Sequence, residues 1–114
     1  MILEQVKEYT ERTSERLNEI LAFFGTDCYT TSIMVKYQAL KIELSFESLT
    51  ESYLEKRNEY LRIAESVCEV LFSGTMFYGS YSFGVDILMD NEKHFDEMLE
   101  MSNEDLKLYY ELHK

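Results

Sequence analysis

The apolar residues of this chain keep a helical period over most of its length and switch to a period of two near its glycines. Ile2, Val6, Tyr9, Thr13, Leu17, Ile20 and Phe24 recur at steps of three and four, and Leu3 and Leu21 widen the stripe. Charged residues between Glu4 and Glu19 fill the opposite side, so the spacing predicts an amphipathic helix over 2–24. Gly25 supplies its stop.

Residues 29–46 carry both periods. Leu40, Ile42, Leu44 and Phe46 alternate with Lys41, Glu43 and Ser45, as in a strand, and β-branched residues are frequent at 29–37. Ile33, Tyr37, Leu40 and Leu44 also fit one helical stripe, with Val35, Ala39, Ile42 and Phe46 on the other side. No Gly or Pro occurs between Gly25 and Gly74, and that absence tips the reading to helix.

The next helix is expected over 49–72. Ser48 and Glu51 form a capping box. Leu49, Tyr53, Tyr60, Ala64, Val67 and Leu71 make one row, and Leu54, Leu61, Cys68 and Phe72 the adjacent row. Beyond Gly74, Phe77, Tyr81, Phe83, Val85, Ile87 and Met89 occupy odd positions. This predicts a hairpin pairing 75–78 with 81–84 about a type II′ turn at Gly79-Ser80, its second strand running towards 89. Residues 91–101 and 103–113 return to the helical period, as two helices or one bent one, with Phe95, Met98, Leu99, Leu106, Tyr109 and Tyr110 inward and Ser102 and Asp105 as a second cap. The expected fold is α+β and mainly α: a small single domain over 1–114, with three to four helices packed on a β-hairpin near 75–89.

Composition narrows the functional classes. The chain has 114 residues, 22 acidic against 11 basic, for a formal net charge of −11. Seven Phe and nine Tyr argue against an acidic disordered chain. The net charge argues against direct binding to nucleic acid or anionic membranes, since both present phosphates. The start, Met1-Ile-Leu-Glu, does not read as a secretory leader, and no apolar run approaches the ~20 residues of a membrane span, so the expected location is cytoplasmic. Cys28 and Cys68 form no C-x-x-C pair and are expected to be reduced, buried and structural.

Candidate chemistry centres on 77–97. Phe77 to Asp90 partly resembles the fingerprint of polymerase-beta-type nucleotidyltransferases, in which a Gly-Ser turn precedes two carboxylates on the next strand. Gly79-Ser80 matches the turn and Asp86 one carboxylate, but Leu88 stands at the second and the spacer is short, so the resemblance lacks the paired carboxylates that such chemistry needs. Counted as a calcium loop from Asp86, Asp90 and Glu97 fall on ligand positions, but Leu88 and Asn91 break the pattern. Asp86, Asp90 and His94 define a less favoured metal-dependent alternative, and His113 reads as exposed. No P-loop, G-x-S-x-G, H-E-x-x-H or G-x-G-x-x-G occurs. No catalytic residue, metal or cofactor is assigned.

Charge position is more informative than charge total. Residues 1–57 carry a net −3, whereas 86–105 alone carry eight acids against Lys93, a net −7. A dense acidic face repels itself and attracts a basic partner. The expected function is therefore non-enzymatic: a module that binds and masks a basic protein surface, such as that of a nucleic-acid-binding protein or a toxin. Immunity proteins, phage-encoded inhibitors and DNA mimics share this logic of charge and size. The expected contact residues are Asp90, Glu92, Asp96, Glu97, Glu100, Glu104 and Asp105, with Tyr78 and Tyr81 as aromatic anchors. The alternative is an assembly subunit, a homodimer through a helical stripe such as Ile33/Tyr37/Leu40/Leu44.

Overall fold

The computed structural model describes residues 3–46, 51–79 and 83–114, with the side chains of 51–55 left outside the description. Its elements run α1 (Leu3–Phe23), β1 (Cys28–Val35), β2 (Ala39–Phe46), α2 (Glu51–Phe72), β3 (Thr75–Tyr78), β4 (Phe83–Leu88), a 3-10 turn (Met89–Asn91), α3 (Glu92–Glu100) and α4 (Asn103–His113). The four strands form one sheet in the order β1-β2-β4-β3, antiparallel throughout. The α+β, mainly helical architecture is the expected one, but the sheet is twice the predicted hairpin. Ser48, Leu49 and Tyr81 lie outside the described residues, as do the side chains of Glu51, Tyr53 and Leu54, so the expected capping box does too.

Residues 29–46 are a hairpin and not a helix, which corrects the sequence reading. Leu40, Ile42 and Leu44 are buried and face the helices, while Lys41, Glu43 and Ser45 are on the opposite, partly open face. Leu40, Ile42, Leu44 and Phe46, drawn from both stripes of the helical reading, share a single strand face once the period is two. Absence of glycine misled because the turn at 36–38 closes without one: the Lys36 amide donates to the Ala39 carbonyl at 2.9 Å, and no residue there has positive φ. The supposed dimer stripe is dispersed, with Leu40 and Leu44 in the core and Tyr37 at the turn, 92% exposed.

In the second hairpin Thr75 pairs with Asp86 and Tyr78 with Phe83. The register is therefore shifted by two from the predicted one, and the expected Gly79-Ser80 turn lies partly outside the described residues. Phe83, Val85 and Ile87 do face inward, opposite Leu44, Ile42 and Leu40. On the outer face Phe77 crosses Gly84, where a Cβ would collide with the Phe77 ring and the Ile42 carbonyl, and the Lys41 ammonium lies 4.8 Å from that ring's centroid.

The helices cover the apolar face. Leu17, Ile20 and Leu21 of α1 and Ala64, Val67, Cys68, Leu71 and Phe72 of α2 are fully buried with the inner residues of β2 and β4. Leu3, expected on the α1 stripe, is exposed. Gly25 closes α1 at φ +89°, with the Thr26 amide donating to the Leu21 carbonyl and the Gly25 amide to that of Ala22, both at 3.0 Å. The C-terminal segment is two helices, separated by extended backbone at Met101 and Ser102, and the Ser102 hydroxyl caps α4 by accepting from the Asp105 amide at 3.1 Å.

Candidate functional site

The acidic segment divides according to what each carboxylate touches. Asp90 sits in the 3-10 turn, Glu92 opens α3, and Glu104 and Asp105 lie in the first turn of α4. Negative charge in a first turn complements the helix dipole, so these positions have a local structural use. Asp96, Glu97 and Glu100 do not share it. Asp96 lies at the middle of α3, and Glu97 and Glu100 lie in its last turn, where the dipole opposes them and no basic residue stands.

Glu92, Asp96 and Glu100 recur every fourth residue and form one row beside α1. The Tyr9 hydroxyl donates to Asp96 Oδ1 at 2.9 Å. Burial, followed by this hydrogen bond and the charges of Asp96 and Glu92, pushes the Tyr9 phenol well above its ordinary value of 10.0. Asp96 and Glu100 line one cleft of about 310 Å³ with Arg12 and Arg16, and Glu92 and Asp96 line a neighbouring groove of about 450 Å³ with Glu8, Val6, Val35 and Leu40. Glu97 faces outward on α3, exposed, as is Lys93.

Among the described residues the ion pairs are Lys7–Glu11, Arg16–Glu19 and Lys114–Glu111, and none takes a carboxylate from 86–105. Arg16 is close at hand but serves backbone instead. Its Nε donates to the Leu99 carbonyl at 2.8 Å and its Nη2 to that of Met101 at 2.7 Å. The guanidinium thus closes the C-terminus of α3.

Tyr78 belongs to a different place. It ends β3, the sheet edge opposite β1, and its hydroxyl donates to Glu65 Oε1 of α2 at 2.6 Å. That bond pushes the phenol up to about 12. The structure therefore does not join Tyr78 to the α3 row. α1 covers β1 instead, where Asn18 Oδ1 accepts from the Thr30 amide at 2.7 Å.

Asp86, Asp90 and His94 do not converge. Asp86 shares a sheet face with Lys41, away from the helices, and His94 Nε2 lies 2.8 Å from the Leu71 carbonyl at the end of α2. Among the described residues no three His, Cys, Asp or Glu side chains are placed to hold a metal ion. Asp86 lies within a strand, so no helix enters the would-be calcium loop. Cys28 and Cys68 are free and buried, and burial pushes both thiols up to about 12. His113 is exposed, and its ring stacks on Tyr109 at 4.0 Å. Sequence reasoning missed Tyr9, Arg16, Glu8, Val6 and Val35, because only the packing of α1 beside α3 brings them to the acidic row. No known protein family matches the chain, and neither curated proteins nor solved structures give a match.

Proposed function

We propose that this protein is a non-enzymatic interaction module that binds and masks a basic surface on a partner protein, using the acidic side of α3. The observation that supports this reading is that Glu97 and Glu100 lie in the last turn of α3, where the dipole opposes them, and that among the described residues neither they nor Asp96 takes part in an ion pair. Acids placed for solubility alone gain nothing from that position, whereas a cationic partner would relieve both the dipole and the mutual repulsion. Inhibitors, immunity proteins and DNA mimics are the classes whose physical logic fits. Asp90, Glu92, Glu104 and Asp105 extend the negative field, and Tyr78, set apart from the central row, and Tyr81, outside the described residues, are secondary candidates.

Affinity capture from the native host at low salt, followed by stepwise salt elution, tests the proposal. The expected result is a basic protein that leaves as ionic strength rises and is not captured by the Glu97→Lys/Glu100→Lys variant. Retention of the same partner by that variant would overturn it.

A second reading, self-assembly, rests on Leu108 and Leu112, which are 59% and 72% exposed on the outer side of α4. Light scattering separates the two. An apolar self-interface tolerates salt, so dimers that persist at high salt and dissociate in Leu108→Glu favour assembly.

A further inference from the structure

The groove beside the acidic row has a composition of its own. Its volume is about 450 Å³, and it runs between the first half of α1, the start of α3 and the turn end of the β1–β2 hairpin. Val6, Val35 and Leu40 give it an apolar lining. Glu8 on one side and Glu92 and Asp96 on the other give it carboxylate walls. Among the described residues Arg12 is the only cation of its lining, and it also lines the neighbouring cleft, so it marks the junction of the two.

Apolar surface continues from the mouth of the groove. Val35 is 49% exposed, and Tyr37 follows it in the turn. Met89 is also exposed, and its amide donates to the Gln38 carbonyl of the same turn at 2.9 Å. Apolar residues at a sheet end, bordered by acids from two helices, call for a ligand that is apolar in the middle and cationic at its flanks. A phosphate-bearing ligand is repelled by the walls, and a purely cationic one leaves the apolar lining wet.

We infer that this groove receives a basic amphipathic segment of a partner protein, with an apolar side chain against Val6, Val35 and Leu40 and flanking Lys or Arg directed at Glu8, Glu92 and Asp96. The inference rests on the proposed masking function and adds the place and chemistry of contact. Tyr9 shares the groove with Asp96, and its phenol is raised first by burial, then by the Asp96 hydrogen bond, with the charges of Asp96 and Glu92 adding to both. The segment enters beside the acidic row, so its flanking cations also reach the field of Glu100 and Glu97.

The test is an NMR titration of the labelled protein with a short synthetic peptide of repeated Lys-Lys-Leu-Leu blocks. Counterparts in which Ser replaces either all Lys or all Leu serve as controls. Expected shifts centre on the amides of Val6, Val35, Leu40, Glu92 and Asp96, and each counterpart binds roughly tenfold more weakly. Val35→Lys and Glu92→Lys each weaken the Lys/Leu peptide by about the same factor with the fold intact, while Glu104→Lys does not. Shifts spread evenly over all acidic helices, or native affinity in Val35→Lys and Glu92→Lys, would overturn the inference. With the captured natural partner the two readings separate. Loss of binding in Glu97→Lys/Glu100→Lys but not in Val35→Lys removes the groove and leaves the masking function. Unchanged binding in both removes both.

Discussion

Arg16 donates from Nε to the carbonyl oxygen of Leu99 at 2.8 Å, joining the first helix to the end of the acidic helix across 83 positions of sequence. The same guanidinium reaches the Met101 carbonyl, where the chain turns extended. Removing it leaves two carbonyls at a helix end without their charged donor. Arg16→Ala is expected to cost about 2 kcal/mol in urea unfolding, since hydrogen bonds to charged groups contribute more than neutral ones. Arg16→Lys should recover less than half, because one ammonium cannot reproduce the planar fork. Full stability in Arg16→Ala would show that solvent serves these carbonyls equally well.

The end of α2 makes a second prediction with opposite signs at adjacent residues. Ser73 has φ +54°, the left-handed region, while the next residue, Gly74, packs so closely that a Cβ would collide with Val85 Cγ2. Ser73→Gly removes a steric penalty but loosens the unfolded chain, for a net gain of about 0.5 kcal/mol. Gly74→Ala forces Val85 from its place between the helices and the sheet and should cost about 2 kcal/mol. Thermal unfolding of the two variants checks both signs, and a stabilising Gly74→Ala would contradict the packing described.

Helix-rich segments were legible where period and stop agreed. Thr13, Leu17 and Ile20 mark the buried face of α1, Gly25 its end, and Ser102 the start of α4. The hairpin at 28–46 was not, since Lys36-Tyr37-Gln38 turns the chain without Gly or Pro, and Leu40 and Leu44 satisfy a helical step of four as well as a period of two. The acidic cluster was legible as charge, but its division was not. Whether a carboxylate supports a helix or faces a neighbour depends on α1, whose Tyr9 reaches Asp96 and whose Arg16 reaches the end of α3 only through tertiary packing. No local pattern records that α1 lies beside α3.

The thiols predict alkaline behaviour. Burial raises Cys28 and Cys68 from 9.0 to about 12, so the folded state holds both protons more tightly than the unfolded state. Their contribution to stability is full below about pH 9 and is lost as pH rises towards 12, because unfolding then releases protons that folding retains. The Tyr9 phenol adds to the same loss above its ordinary value of 10.0. Urea midpoints should therefore fall steadily above pH 9, less steeply in Cys68→Ala, whatever that substitution costs near neutrality. A thiol reagent at pH 8 should label the native protein only as fast as it opens. A flat midpoint between pH 9 and 11, or immediate labelling, would sink this account.

The last prediction opposes stability to binding on the same two residues. Glu97 and Glu100 lie in the last turn of α3, where the carbonyl end of the helix is negative and Arg16 serves the Leu99 carbonyl, and among the described residues neither takes part in an ion pair. Replacing both by Lys reverses an unfavourable interaction, and Lys at 97 falls four residues after Lys93, which limits the gain. The melting temperature of Glu97→Lys/Glu100→Lys should hold or rise by roughly 2 °C. A residue kept for the fold would show the reverse, a loss of stability on substitution. Partner affinity should fall by roughly tenfold or more at low salt, and the difference between variant and native should shrink as salt screens both. If the variant is both less stable and equally well bound, these carboxylates serve the fold. If it is at least as stable and binds poorly, the charge on α3 is held against the helix's own preference for the sake of a partner.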